Sequence, residues 1–301
     1  MLRPLLDNTY VEQFLEGVCD NSDSILTTNI ASKVVDAEIL LYQNGKGSTL
    51  ENLNIRTKAY REEDKRWLLR EQIVNELFTL KRLVKDDDIK LGEGGALPWI
   101  DMKKDREAFI VTGPPASGKS GICEKIADCY GAVILDSDYA KRKMPEYDAV
   151  VGASKCHQES GLLVLGGAYL NQFRFATLLD RCNSEGINIV IPKIGDSSES
   201  IMELTKQLKR FGYHVHLTLL GLDRKVATFR AVKRFHATSR YVPLSIVYDV
   251  YGNEPTISYY RIKNFHSDEF VSLGMLSNDV SLGSKPIVVE SAVGNPAQLF
   301  L

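Results

Sequence analysis

With 301 residues, 44% of them hydrophobic and 25% charged, the chain has the composition of a globular protein long enough to bury a sizeable core. Its 37 basic and 39 acidic side chains leave a formal net charge of −2, which gives no push toward nucleic acid or an anionic membrane as the main partner. Five scattered cysteines, Cys19, Cys123, Cys129, Cys156 and Cys182, form no CxxC pair, so neither a disulfide framework nor a zinc site is expected and a reduced cytoplasm is the natural setting.

The first residues, MLRPLLDNTYVEQFLEG, lack a long apolar run and carry acids early, unlike a signal peptide or membrane anchor. Export by a route without a cleaved signal, with delivery into a target cell, is compatible with that. Residues 1–100 read as a helical N-terminal region. Tyr10, Phe14, Leu15 and Val18 recur at helical spacing, as do Val34, Val35, Ile39 and Leu40. A longer helix is expected over 61–85, with Trp67, Leu68, Ile73, Val74, Leu77, Leu80 and Leu83 as its apolar stripe and most charges opposite. Glu62 and Glu63 are spaced to pair with Arg66 along that helix. The region is either a helical layer packed on the main domain or a built-in regulator. Around 85–105 the composition turns acidic, then Gly-rich, then basic, and reads as a linker.

Residues 101–301 change to short apolar runs alternating with helices. Strands are expected at 108–113, 132–138, 188–195, 214–221 and 286–291, with helices over 118–130, 170–186, 198–212 and 224–239 between them. Such alternation predicts an α/β fold, a parallel sheet covered by helices on both faces. Gly186 and Gly212 stand where helix C-caps are expected.

The strongest motif is GPPASGKS, which fits G-x-x-x-x-G-K-[ST] with a strand before it and a helix after it. Gly113, Pro114, Pro115, Ala116, Ser117, Gly118, Lys119, Ser120 and Gly121 would form a loop whose backbone N–H groups close around phosphate oxygens at a helix N-terminus. Lys119 would supply charge to the β- and γ-phosphates, and Ser120 a hydroxyl to Mg²⁺. ATP and Mg²⁺ are therefore the expected cofactors. At the carboxyl end of the second strand, Asp136 and Asp138 could accept the proton of an attacking hydroxyl, hold the metal through water, or cap the next turn. Lys141, Arg142 and Lys143 follow, as solvated charges or as a grip on an anionic substrate. Later, Arg230, Lys233, Arg234 and Arg240 cluster; Arg230 and Arg234 share a helix face. Arginines there either neutralise a migrating phosphoryl group or make an ordinary exposed basic helix.

In order and spacing, TGPPASGKS, VILDSDYAKRKMPEYD, RCNSEGINIVIP, GYHVHLTLLG and RAVKRFHATSRYVP resemble the zeta-toxin family of bacterial P-loop kinases, over roughly residues 105–265. The resemblance implies an adenylate-kinase-like fold and ATP-dependent phosphorylation of a hydroxyl on a nucleotide metabolite, in most members UDP-N-acetylglucosamine. Carried onto this chain, Asp138 matches the general base, and Arg234 and Arg240 match the arginines that stabilise the transferred phosphoryl. It also implies a helical antitoxin that blocks the nucleotide site, a part that the N-terminal region could play within one chain.

The sequence departs from the family at the third strand. Wall-targeting members end it in an acid followed by Gly-Thr; here Pro192, Lys193, Ile194 and Gly195 stand there. A second family glutamate aligns with Ala176, while Glu159 and Glu185 lie elsewhere. The acceptor pocket is thus expected to be more basic, with Lys193 beside a dinucleotide pyrophosphate, as in NAD, or left as a solvated strand end. The competing reading is a catalytically degenerate nucleotide-binding module that signals or binds a protein partner. His157, His214, His216, His236 and His266 show no metal spacing.

Overall fold

The computed structural model describes residues 5–18, 24–43, 47–149, 151–166, 175–238, 241–281 and 283–301, without the side chains of 24–29. The N-terminal helices are α1 (Asn8–Val18), α2 (Ser24–Gln43) and α3 (Glu63–Thr79). After them the sheet has the order β2-β3-β1-β4-β5-β6. Its strands are β1 (Glu107–Thr112), β2 (Val133–Ile134), β3 (Ile189–Lys193), β4 (His214–Gly221), β5 (Ser272–Ser277) and β6 (Ile287–Ser291). The first five are mutually parallel. Strand β1 is central and almost wholly buried, as a strand covered on both faces must be. It pairs Thr112 with Lys193 of β3 and with Leu219 of β4. The strand ends around the loop after β1 therefore converge, at the edge where open α/β sheets bind ligands.

Three features of the sheet differ from expectation. The 286–291 run is an edge strand, antiparallel to β5 and not a member of the parallel set. The fifth parallel strand is SLGMLS, which carries no apolar run and alternates buried with half-buried residues. Gly274 within it is required by close approach, because a Cβ would come within 2.2 Å of Asn295 Oδ1. The expected strand over 132–138 shortens to two residues, because Asp136 starts a helix.

The helices are α4 (Lys119–Tyr130), α5 (Ser137–Arg142), α6 (Gly152–Lys155), α7 (His157–Leu165), α8 (Leu178–Glu185), α9 (Ser198–Arg210), α10 (Arg224–Thr238) and α11 (Glu254–Phe265). Helix α8 begins later than its sequence suggests because Thr177 and Asp180 form a reciprocal capping box; 170–174 of the expected helix lie outside the described residues. Gly186 ends α8 in the left-handed region, at φ 69°.

The N-terminal helices pack in two places. Helices α1 and α2 form a hairpin against α10, sharing a core of Val11, Leu15, Ile30, Val34, Ala231 and Phe235. Helix α3 joins the main core through Leu69, Ile73, Val74 and Leu77. Its buried face also carries Arg66, Arg70 and Glu76, whereas Leu68 is 68% exposed. The apolar stripe inferred for this helix holds at Ile73, Val74 and Leu77 and is corrected at Leu68 and in the placing of the charges opposite it. Charges occupy the inner face because opposite charges wait there. The Arg66 guanidinium donates to Glu159 at 2.7 and 2.8 Å and to Glu146 at 3.0 and 3.1 Å, and Arg70 Nε donates to Glu159 at 2.7 Å. Glu63 pairs with Arg56 and Arg70, not with Arg66. The expected linker is irregular but docked: Ile89 and Ala96 are buried, and Ile134 N donates to Ala96 O at 3.1 Å, covering the β2 edge. None of the described helices is long and apolar enough to cross a membrane.

Burial alone would raise the Glu159 carboxyl, but the hydrogen bonds and charge of Arg66, with Arg70, outweigh it and hold it at about 2. A depressed carboxyl stabilises the fold above its unfolded value, near 4.3, and that contribution is lost as pH falls toward about 2. Glu159→Gln, which leaves two guanidiniums facing a neutral amide, should cost on the order of 3 kcal/mol at pH 7. Thermal melts between pH 7 and 3 should show the variant converging on the wild type in acid; parallel curves would count against the ion pair.

Candidate active site

The loop between β1 and α4 has the geometry its glycines call for. A Cβ on Gly113 would come within 2.5 Å of Leu220 O, so only glycine lets the loop lie this close to β4. Gly118 is left-handed, at φ 89°, and N-caps α4. Ala116 is also left-handed, at φ 60°, an uncommon conformation for a residue with a side chain. Pro114 is buried and Pro115 half-buried; Gly121, in the first turn of α4, has open space around it. Gly113 N donates to Ile194 O at 3.0 Å, tying the loop to the end of β3.

Lys119 opens α4 and folds its ammonium back into the loop, donating to Gly113 O and Pro114 O at 2.7 Å each and to Ser117 Oγ at 3.4 Å. Burial pushes that ammonium down to about 8; Asp136 and Asp138 oppose the shift and Arg234 adds to it. Lys119, Asp136, Asp138 and Arg234 therefore share one electrostatic field, although they come from three separate segments. Ser120 lies exposed in the first turn of α4.

Asp136 is the N-cap of α5 and accepts from Asp138 N at 2.8 Å. Burial, reinforced by the Asp138 charge, pushes the Asp136 carboxyl up to about 6. Asp138 sits in the first turn of α5, 2.5 Å from the Lys141 ammonium. The other two cations of that run have acidic partners from the preceding segment: Arg142 Nη2 lies 3.0 Å from Asp87 and the buried Lys143 Nζ 2.7 Å from Glu76. The reading of these charges as a solvated run is corrected; each has an acidic partner.

Lys193 ends β3 beside Thr112. Burial lowers its ammonium and Asp196 opposes the shift. His157, at the start of α7, is lowered by burial and by the charges of Lys141 and Lys193. Gly195, left-handed at φ 81°, packs on Thr112, where a Cβ would come within 2.7 Å of the threonine Cβ. The segment that departs from the family pattern is thus part of the floor under the phosphate loop. Arg234 is half-buried on α10, while Arg230, on the same face, donates to Asn278 O at 3.0 Å and Val280 O at 2.8 Å. Arg240 lies outside the described residues. His214 and His216 both hydrogen-bond with Glu107, and His216 also with Ser272. Among the described residues no cluster of potential metal ligands forms.

Asn278, after β5, went unnoticed in the sequence. Its side-chain amide donates to Ser117 O at 2.5 Å, across 161 residues, and Arg230 holds its backbone in turn. No local signal marks an asparagine that acts at such separation.

The zeta-toxin family model matches residues 99–258, more than half of the 301-residue chain. The chain belongs to the zeta-toxin family. It is accordingly an ATP-dependent kinase of the toxin type, on a P-loop kinase fold. Among solved structures, this zeta toxin is similar to the PezAT chromosomal toxin–antitoxin system of Streptococcus pneumoniae, at 16% identity and a TM-score of 0.46, covering 67% of this chain and 79% of that one. It is also similar to the native AvrRxo1-ORF1:-ORF2 complex, at 15% identity and a TM-score of 0.45, over 83% of this chain and 73% of that one. The same complex with ATP is similar at 15% identity and a TM-score of 0.44, over 79% and 71%. No curated protein matches the chain.

In this zeta toxin a triphosphate entering the loop would displace the carbonyls that Lys119 now contacts and raise its ammonium again. Binding above about pH 8 should therefore take up a proton, and affinity should fall as pH rises through that value. Calorimetry with a non-hydrolysable ATP analogue, in buffers of different ionisation enthalpy, should detect this uptake at high pH and not near neutrality. Lys119→Met should abolish it.

Proposed function

We propose that this kinase transfers the γ-phosphoryl group of ATP to a hydroxyl of a nucleotide metabolite, either a UDP-N-acetylglucosamine-like sugar nucleotide or NAD, and acts in this way as a bacterial toxin. The observation that carries the reading is that the loop after β1 with Lys119, the helix after β2 with Asp138 and the helix after β4 with Arg234 all follow the carboxyl ends of parallel strands, at one edge of the sheet. The donor set of the loop fits ATP with Mg²⁺: backbone N–H groups at a helix start, an ammonium, and an exposed hydroxyl on Ser120 for the metal. The bound metal would neutralise phosphate charge. Asp138 accepts the acceptor hydroxyl's proton as that oxygen bonds to phosphorus and the bond to the ADP oxygen breaks. Lys119 and Arg234 gather the charge on the migrating group, with Arg240 as the family match assigns it. Lys141 orients the Asp138 carboxylate. Lys193, with Lys141, makes the acceptor side basic, which favours an acceptor carrying a pyrophosphate. Asp136 is the cap that sets the start of α5.

Asp138→Asn should retain ATP binding and lose transfer by at least about 100-fold. Purified protein with ATP and Mg²⁺, given UDP-N-acetylglucosamine or NAD, with Lys119→Ala as control, should add one phosphoryl group to one of them by mass spectrometry. Full activity of Asp138→Asn removes its role as base. ATP binding with neither acceptor modified favours the binding-module reading.

The same proposal extends to restraint within the chain. Helices α1 and α2 pack on α10, and Ala116 of the phosphate loop touches their apolar cluster. Tyr241 Oη donates to Glu38 at 2.5 Å, joining α2 to the segment after α10. Because Thr49 and Arg56 are bonded near α7 and α3, the informative deletion stops at residue 46. Its removal should raise growth inhibition on expression; unchanged toxicity would leave restraint to a separate antitoxin protein.

A further inference from the structure

Helix α5 has six residues, too few to hold its shape alone. It carries both Asp138 and Lys141, and the Asp136 cap fixes only its start. Its far end is held from outside. Arg142, Lys143 and Glu146 each form an ion pair with a residue of the preceding segment: Asp87, Glu76 and Arg66. All three partners precede residue 99, where the family match begins. In the Lys143–Glu76 contact the lysine side chain is wholly buried. The Lys143 ammonium donates to Glu76 at 2.7 Å, to Lys90 O at 3.0 Å and to Glu93 O at 3.1 Å, so all three of its N–H groups are used. Glu76 in turn accepts from Gly92 N at 2.9 Å and from Gln72 Nε2 at 2.7 Å. None of these atoms belongs to the phosphate loop. A buried ion pair adds little stability over well-packed apolar side chains, but its directional bonds admit one geometry.

We infer that Glu76 and Lys143 are positioning residues for phosphoryl transfer: the pair, supplied from α3 outside the family-matched span, fixes α5 and thereby where the Asp138 carboxylate stands relative to Lys119. This rests on Asp138 being the base. It also means that the working kinase unit reaches back at least to α3.

The test uses the full chain carrying Glu76→Gln, Lys143→Met, or the apolar double variant Glu76→Leu/Lys143→Met. Hydrogen exchange read by mass spectrometry should accelerate at least tenfold over 137–149 in each variant and stay unchanged over 119–130. Affinity for a non-hydrolysable ATP analogue should stay within twofold, and KM for ATP likewise. With whichever of UDP-N-acetylglucosamine or NAD the wild type phosphorylates, kcat should fall at least tenfold. The double variant should recover the wild-type melting temperature without recovering kcat, since it restores packing but not the bonds to the 90–93 turn. Exchange that is unchanged over 137–149, or raised equally over 119–130, overturns the inference, as does kcat that recovers together with melting temperature. Should the wild type phosphorylate neither acceptor, the role of Asp138 falls, and the exchange pattern alone decides whether the pair holds α5.

Discussion

Two arginines of one helix face share a single buried glutamate, and the joint between the N-terminal segment and the kinase fold depends on it. Arg66 and Arg70 both reach Glu159, while Arg66 also holds Glu146. Taking such charges out of water is costly, and the cost is offset when the charges are paired and hydrogen-bonded in good geometry. That condition fixes α3 against α7 and against the turn after α5 in one register. The Lys143–Glu76 pair repeats the device a short way along. The segment after α5 is therefore tied to a part of the chain that precedes the family-matched span.

The nucleotide side is held by other means. Strand β1 brings the phosphate loop to the sheet edge, glycines allow its backbone to approach β4, and Asn278 and Ile194 bond it from either side. Because both sides converge on the same strand ends, Lys119 feels Asp136, Asp138 and Arg234 together. The departure from the family pattern at Lys193 leaves the loop's support in place, since Ile194 bonds the loop through its backbone and Gly195 packs on Thr112.

The N-terminal helices have two distinct relations to this centre. The α1–α2 hairpin packs on α10 through apolar contacts. Helix α3 is locked by buried charges and belongs to the main core. Apolar contacts are non-directional and allow a hairpin to leave as a unit, whereas separating the ion pairs would strand charges in the interior. The two parts are thus held by different kinds of contact, one apolar and one ionic.

The sequence by itself determined what depends on near neighbours in the chain. The phosphate loop was legible because its glycines, lysine and serine act within eight residues, between a strand and a helix that show their own periodicity. Four of the five parallel strands were legible as apolar runs, and family membership followed from motifs in fixed order. Only the tertiary structure decided the rest. The inner face of α3 was misread because a charge is taken to face water unless a partner is known, and the partners of Arg66 lie 80 and 93 residues away. Strand β5 was missed because its polar and glycine residues are buried by neighbours rather than by their own hydrophobicity. The same separation hid Asn278 from its loop and Glu76 from Lys143. Pattern reports what the backbone repeats locally; pairing across the fold, which seats α3 against α5 and α7, is fixed only when distant segments meet.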